Sequence, residues 1–92
     1  MAALLKVQLI TPKEIAYDGA ALAVTIPAEQ GEMQVYRGHI PVLARIARGM
    51  IRIERPGLAP VCFEADEGFF RVTQDEVCLL IDTIQTVQAA DA

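Results

Sequence analysis

Apolar and polar residues alternate with a period of two along most of the chain. Successive side chains of a β-strand point to opposite faces, so this alternation predicts strands that each turn one face to a core. Few stretches show the period expected of an amphipathic helix. The clearest alternating runs are residues 5–9, 22–26, 51–53, 61–65, 70–72 and 77–81.

Turn-forming residue pairs separate these runs at intervals of roughly 8–12 residues, which is typical of an all-β sandwich or barrel. Pro56-Gly57 lies between two runs and predicts a hairpin. Gln74-Asp75 predicts another. The full set of turn pairs is Thr11-Pro12, Asp18-Gly19, Gln30-Gly31, Arg37-Gly38, Arg48-Gly49, Pro56-Gly57, Glu67-Gly68 and Gln74-Asp75.

Two segments have a weaker pattern. Residues 42–48 could form a helical turn, but the stretch between Pro41 and Gly49 is short for a helix, so a strand is favoured. Residues 83–92 have weak helical character and no stop signal, and we interpret them as a frayed tail. The sequence thus predicts one β-sandwich domain over residues 1–83 and a short C-terminal tail over 84–92.

Length and composition predict a small folded domain. The chain has 92 residues, of which 53% are apolar, and this is enough to bury a thin core and to exclude disorder. The net charge is −4, and six of the eight basic residues are arginines scattered between positions 37 and 71. A nucleic-acid-binding protein would need a concentrated basic surface, so no nucleic-acid partner is expected.

No apolar run approaches the ~18 residues that span a bilayer. The first ten residues, MAALLKVQLI, lack a basic segment and a cleavage site of the secretory kind. We therefore expect a cytosolic chain that contacts a membrane only through a partner.

The inventory of catalytic residues is small. The chain has one histidine, His39, and no serine, and it lacks a glycine-rich phosphate loop. Cys62 and Cys78 have no metal-ligand spacing and are expected to be buried or half-buried free thiols. We therefore expect no catalytic residues, no metal site and no cofactor. The chain is predicted not to be an enzyme.

The least ordinary segment is EQGEMQVYRGHIPVL, residues 29–43. Gly38 allows a tight bend before His39, and Pro41 keeps Ile40 extended, so the histidine is held on a rigid piece of chain. This pattern favours a histidine that satisfies backbone groups at a corner between strands. A protein interface would use the same rigidity.

Five segments in this order resemble the N-terminal β-sandwich domain of the epsilon subunit of F-type ATP synthases, whose mitochondrial counterpart is called delta. The resemblance runs from about Leu5 to Thr83. Gln34 and Arg37 depart from it, because the family usually has glycine and proline there, and so do Asp66 and Glu67, which replace small residues. The segments are the opening strand, ITPKEIAYDG, EQGEMQVYRGHIPVL, GMIRIERPG and DEGFFRVTQDEVCLLIDT.

This resemblance implies a ten-stranded β-sandwich of two sheets and a mechanical role. The subunit would be a non-catalytic part of the central stalk (the rotor) of a proton-translocating ATP synthase, peripheral at the cytoplasmic face of the bacterial inner membrane. It would join the gamma subunit to the membrane c-ring and so couple rotation to ATP synthesis. By position, Thr11, His39 and Ala44 would face gamma, and the turn Glu29, Gln30, Gly31 and Glu32 would face the ring.

Longer members of that family continue into a two-helix C-terminal domain. The sequence has only nine residues after Thr83, so a form without that domain is expected. The competing hypothesis is a stand-alone β-sandwich adaptor or ligand-binding module. A ligand pocket would need a few convergent polar groups, and the sequence shows no such cluster.

Overall fold

Ten β-strands and no helix make up the part of the chain that the computed structural model describes, residues 3–87. The all-β prediction is confirmed. Residues 42–46, where a helical turn was the alternative, form a strand. The strands are β1 (Leu5–Ile10), β2 (Ile15–Ala21), β3 (Ala23–Ala28), β4 (Gly31–Val35), β5 (Val42–Ile46), β6 (Gly49–Glu54), β7 (Val61–Ala65), β8 (Gly68–Val72), β9 (Glu76–Ile81) and β10 (Ile84–Val87).

The strands form one continuous hydrogen-bonded path in the order β10-β7-β6-β3-β5-β8-β9-β1-β2, and β4 pairs with the free side of β3. All pairs are antiparallel except β1 with β9. The path curls into two layers. The first layer contains β5, β8, β9, β1 and β2, and the second contains β4, β3, β6, β7 and β10.

Three long bent strands connect the two layers. β5 pairs with β8 up to Ile46 and Gly68, and β6 pairs with β7 from Gly49 and Ala65 onward, in unchanged register. Only two residues on each strand, 47–48 and 66–67, interrupt this ladder. The same continuity holds between β7–β8 and β9–β10, where residues 82–83 are the interruption. We call these three two-residue segments together the bend.

Backbone hydrogen bonds continue across the bend. The Asp66 amide donates to the Thr83 carbonyl at 3.0 Å, and the Asp82 amide donates to the Glu67 carbonyl at 3.3 Å. A Cβ atom on Gly68 would overlap the carbonyl oxygen of Leu80 and lie 3.0 Å from the Cα of Ile81. The strands can thus pass this close only with glycine at position 68.

The core lies between the layers and is formed by inward-facing residues of all ten strands. Phe70 has the largest of the fully buried side chains. No polar or charged residue within residues 3–87 is buried. Hydrophobic burial is therefore the main stabilising term. The buried core consists of Leu5, Val7, Leu9, Ala21, Val24, Ile26, Ala28, Val35, Ile46, Ile51, Ile53, Phe63, Ala65, Phe70, Val72, Val77, Leu79 and Ile81.

Three local expectations were wrong. Residues 84–87 are not a frayed tail but form β10, which pairs with β7 along its whole length; residues 88–92 lie outside the described residues. Asp18-Gly19 is not a turn but lies inside β2, opposite Gln8 and Val7. Residues 48–49 and 67–68 do not reverse the chain as hairpin turns do, because the strands there cross from one layer to the other.

Candidate docking surfaces

The outer face of the first layer carries a row of apolar side chains that runs across its strands. Ile15 on β2 pairs with Ile10 on β1, and Ile10 pairs with Leu80 on β9. Leu80 pairs with Phe69 on β8, and Phe69 pairs with Arg45 on β5. We call Ile15, Ile10, Leu80 and Phe69 the apolar row.

The apolar row is open to solvent and ends at a cation. Ile15, Leu80 and Phe69 are 57%, 51% and 49% exposed, respectively. The guanidinium carbon of Arg45 lies over the Phe69 ring, 5.2 Å from its centroid, which is within the range of a cation–π contact. Single exposed apolar residues are ordinary, but these three and the half-buried Ile10 lie on adjacent strands and form a contiguous patch of the kind found at docking sites.

Between the apolar row and the bend lies an open groove of about 630 Å³. It is lined by Ile10, Phe69 and Leu80 of the row and by Glu67 and Asp82 of the bend. The only ion pair in the groove within residues 3–87 joins Arg48 to Asp66 at 3.3 Å, and both side chains are well solvated. Such an exposed pair contributes at most about 1 kcal/mol.

The outer face of the second layer is polar by comparison. Met50 is its one large exposed apolar side chain within the described strands, at 42% exposure. Arg52 donates a hydrogen bond to Glu54, and this bond raises the pKa of Arg52. Glu64 on β7 is also exposed. The two outer faces of the sandwich therefore differ in character, and only the first presents a continuous apolar surface.

Thr11 holds the turn between β1 and β2. Its hydroxyl accepts hydrogen bonds from the amides of Lys13 and Glu14 and donates to the Glu14 carbonyl, each at 3.2 Å. The residue also lines the groove beside the bend. The structure thus places Thr11 at the edge of the apolar row.

His39 lies in the loop between β4 and β5, at the end of the first layer away from the bend. Its Nδ1 lies 2.7 Å from the Ile40 carbonyl oxygen, and its amide donates to the Tyr36 carbonyl. Gly38 has a φ of 92°, and its amide donates a hydrogen bond to the Gln74 carbonyl. The half-buried imidazole therefore orders a corner between strands, as the sequence indicated, and it stands beside Ile40, which is 73% exposed.

Ala44 lies in the middle of β5, opposite Phe70, and packs against the core on the inner face of the strand. Its neighbour Leu43 points outward instead and is 76% exposed. The three residues expected at one interface thus share the first layer but not one pocket. Thr11 and His39 lie at opposite ends of it.

The turn predicted to face a second partner is exposed at all four positions, Glu29, Gln30, Gly31 and Glu32. Gly31 has a φ of 135°, a backbone conformation that residues with a side chain rarely adopt. It pairs with Ala28 and closes the hairpin of β3 and β4. The Glu29 amide donates to the Arg45 carbonyl at 3.0 Å, so this turn is tied to the first layer.

No chemistry-bearing cluster stands out among residues 3–87. No group of three His, Cys, Asp or Glu residues has the geometry to hold a metal ion there. Cys62 is buried and Cys78 half-buried, both as free thiols, as expected. Within the described part of the chain, no helix is long and apolar enough to cross a membrane.

Comparison with known proteins decides the family. The model of the ATP synthase delta/epsilon chain β-sandwich domain matches residues 4–87, which is almost the whole chain. The chain belongs to this family. The delta/epsilon family is named for a subunit of the ATP synthase complex, in agreement with the resemblance seen in the sequence.

Relatives in the delta/epsilon family are called ATP synthase epsilon chains. The one from Campylobacter jejuni subsp. doylei is 34% identical over 77 residues, covering 84% of this chain and 60% of the relative. Epsilon chain 2 of Ralstonia nicotianae is 35% identical over 88 residues, covering 96% of this chain and 62% of the relative. The chain thus spans about 60% of the length of these two relatives.

Solved structures of low sequence identity share the delta/epsilon fold. A chain in the Euglena gracilis mitochondrial ATP synthase structure (OSCP/F1/c-ring) superposes with a TM-score of 0.85 at 23% identity, over 91% of this chain and 54% of that one. A chain in the Tetrahymena thermophila central stalk/c-ring structure gives 0.73 at 12% identity, over 88% and 65%. Both likenesses concern the fold.

The apolar row is the feature that sequence reasoning missed. A trace of it is visible, because Phe69-Phe70 and Leu79-Leu80 break the alternation and place apolar side chains on both faces of β8 and β9. Strands that are apolar on both faces are expected where both faces become covered. This trace was available, but it did not show that the residues of separate strands fall into one row.

Proposed function

We propose that this chain is the epsilon-type rotor subunit of a proton-translocating F-type ATP synthase, without catalytic activity of its own. In this role it joins the gamma subunit to the c-ring and helps to couple rotation to ATP synthesis. It is peripheral, at the cytoplasmic face of the bacterial inner membrane. Membership of the delta/epsilon family and the names of the relatives support this role.

The observation that carries the proposal is the difference between the two outer faces. The apolar row gives the first layer a surface that favours coverage by another protein, whereas the second layer is polar. A stable complex of this kind buries about 1,200–2,000 Å² in total. The outer face of the first layer supplies a continuous apolar surface on which gamma can rest.

Within this proposal, Thr11 and His39 contribute at the two ends of the gamma surface. Each is half-buried and orders its own loop, so each fixes the shape of one end. Ala44 contributes indirectly, from the core side of β5, because its small side chain sets how closely that strand packs on the core. Leu43, beside it, is the side chain that can reach a partner.

The turn of residues 29–32 contacts the c-ring in this proposal. Its four exposed residues project from the hairpin of β3 and β4, and two of them are carboxylates that can pair with basic or amide groups on polar loops. The turn is joined to the gamma-facing layer through the hydrogen bond from Glu29 to Arg45. A force applied at the turn is therefore passed to the first layer through ordered backbone.

The role requires stiffness and two attachment surfaces, and no bond-making step. The layers share three continuous bent strands, so one layer cannot slide over the other without breaking backbone hydrogen bonds. The domain acts as a solid connector between two partners.

Co-expression with the gamma subunit of the same organism tests the proposal. We expect a tagged version of this chain to retain gamma through affinity purification and size-exclusion chromatography. Leu43→Asp should weaken retention, and Leu58→Asp, an equally drastic change at the 63%-exposed tip of the β6–β7 hairpin, should not. Elution of the folded wild-type chain alone would contradict the rotor role and favour a stand-alone adaptor.

A further inference from the structure

We propose that Tyr17 keeps the free edge of β2 from pairing with the same edge of a second copy of this chain. β2 is the last strand of the first layer, and within residues 3–87 no strand pairs with its other side. Such an edge presents unpaired backbone groups to which a strand of another molecule can be added. This self-association lies outside the rotor role and does not depend on it.

The hydrogen bonds of β1 show which groups of β2 point to the free edge. The Lys6 amide donates to the Asp75 carbonyl just before β9, so the backbone groups of Lys6 point away from β2. Lys6 is paired with Ala20, and the two residues therefore form a non-hydrogen-bonded pair of the antiparallel ladder. Ala20 thus directs its amide and its carbonyl to the free edge, and so does Asp18, two residues earlier in the strand.

The Tyr17 side chain occupies one of these edge groups. Its hydroxyl donates to the Ala20 carbonyl at 2.9 Å. Tyr17 and Gly19 lie on the inner face of β2, because each is paired with a core residue of β1, and a Cβ added at Gly19 would lie 3.4 Å from the Tyr17 hydroxyl oxygen. The ring therefore packs against the core, passes beside Gly19 and reaches round the rim of the sheet to the edge.

The edge of β2 matches a second copy of itself. β2 has seven residues, against five and four in the edge strands β4 and β10 of the second layer. A two-fold axis brings two copies of one strand together antiparallel. With the axis at Gly19, Asp18 of each copy would exchange both hydrogen bonds with Ala20 of the other. The Ala20 carbonyl of each copy is thus an acceptor that this pairing needs.

Tyr17 opposes this pairing because it already uses that acceptor. An incoming strand would have to displace the hydroxyl from the Ala20 carbonyl or share the carbonyl with it. Two other features act in the same direction. Asp18 is exposed, so each copy would bring a like charge to the contact, and the register shift between Leu9 and Ile10 limits the regular part of the edge to residues 17–21. Tyr17 is the one of the three that a single substitution removes without altering backbone or charge.

Sedimentation equilibrium of the full chain tests the proposal. The wild type should be monomeric up to ~0.5 mM, whereas Tyr17→Val, which removes hydroxyl and ring but suits a strand, should self-associate at least about tenfold more tightly. Tyr17→Phe removes the hydroxyl alone and should tighten self-association about threefold. If thermal unfolding shows Tyr17→Val to be misfolded, Tyr17→Phe carries the test. Tyr36→Val and Tyr36→Phe are the matched controls and should stay monomeric, because Tyr36 is 54% exposed and lies outside the strands.

Amide hydrogen exchange, measured residue by residue, locates the contact. In the wild-type monomer the amides of Asp18 and Ala20 should exchange fast, because they point to solvent at the free edge, whereas the Gly19 amide, which points to β1, should exchange slowly. In the associated Tyr17→Val or Tyr17→Phe chain, exchange of the Asp18 and Ala20 amides should slow at least about tenfold. The Gly19 amide serves as the internal reference, because its partner on β1 is the same in both states.

Folded Tyr17 variants that remain as monomeric as the wild type would overturn the proposal. Association that leaves the Asp18 and Ala20 amides unprotected would overturn it too, because the copies would then meet elsewhere. Equal association of the Tyr36 variants would show that loss of any tyrosine has the same effect, and slow exchange of the Asp18 and Ala20 amides in the wild-type monomer would show that this edge is not free. None of these results bears on the rotor role, which co-purification with gamma tests separately.

Discussion

Two glycines at single strand positions show how local surroundings decide what a residue must be. Gly68 begins β8, where a Cβ would overlap the Leu80 carbonyl oxygen. Gly19 lies inside β2, where the nearest atom to an added Cβ is the Tyr17 hydroxyl at 3.4 Å, an ordinary contact. The sequence shows both as turn signals, and the structure shows that one permits a close approach while the other has room.

Gly68→Ala should therefore destabilise the domain by about 1–3 kcal/mol or more, because backbone atoms of β9 would have to move. The same change at Gly19 should cost little and could stabilise by ~0.4–1 kcal/mol through the unfolded chain. Urea denaturation of both variants measures the difference. Equal losses at the two positions would contradict the close approach at the bend.

Tyr17 gives the domain a dependence on alkaline pH. Its hydroxyl donates to the Ala20 carbonyl at 2.9 Å, and partial burial raises its pKa above the usual 10.0, with Arg55 partly opposing this. The neutral, protonated form is the one that the fold favours. The stability it contributes is thus complete below about pH 10 and is lost as pH rises through the folded-state pKa.

We expect Tyr17→Phe to lose about 0.5–1.5 kcal/mol at neutral pH with the hydrogen bond. Between about pH 9 and pH 11, the free energy of unfolding of the wild type should fall more steeply than that of Tyr17→Phe. Urea denaturation at a series of pH values measures both, and other titrating groups are common to the two proteins. If the free energy of unfolding of the two proteins changed in parallel with pH, ionisation of the Tyr17 phenol would not affect the stability of the fold.

The strands show how far sequence pattern reaches. Alternation located most strands, because the inward-facing aliphatic side chains of each one had to reach a common core. It did not locate the bend, because a strand that crosses between layers keeps its register, and only the glycines mark the place. Likewise β10 has too few apolar residues to be recognised alone, and it is a strand because β7 offers it an edge.

Removal of β10 should expose that edge. A chain that ends at Thr83 should be less stable than one that ends at Val87 by about 1–3 kcal/mol, since Ile84 packs against the core and the ladder to β7 is lost. The midpoint of urea denaturation compares the two chains directly. Ile84→Ala in the longer chain serves as the control that separates packing from strand pairing. Identical midpoints for the two lengths would mean that β10 adds nothing to the fold.

On the scale of the whole molecule, the candidate surfaces were predictable only in part. The residues of the exposed turn 29–32 are consecutive, so the sequence could mark the turn as a unit. The apolar row joins residues from four strands that are distant in the chain, and only the sheet order brings them together. The resemblance placed Ala44 at an interface; the structure shows it packed against the core from β5, while its neighbour Leu43 points outward and is exposed.

Charge reversal at the turn tests its role in the assembled enzyme. If the proposed ring contact exists, Glu29→Lys with Glu32→Lys should lower ATP-driven proton pumping in membrane vesicles relative to ATP hydrolysis, because each exposed ion pair lost would have contributed up to about 1 kcal/mol. Both side chains are exposed, so stability should change by less than ~0.5 kcal/mol.

Glu32→Lys alone is the matched control that separates an effect at the turn from an effect on the groove. Glu29 lines the groove of the first layer, whereas Glu32 lies on β4 and does not. Gamma binding by the single variant should equal that of the wild type. Normal pumping by vesicles with the double variant would count against a ring contact at this turn.

The single parallel pairing has a consequence for how the chain folds. The three long bent strands, β5–β6, β7–β8 and β9–β10, pair in sequence order as neighbours, so their contacts close short loops and can form early. β1 instead joins Lys6 to Glu76, near the other end of the described chain. During synthesis from the N-terminus, the hairpin of β1 and β2 must wait for β9, so the first layer closes only after β9 has been made.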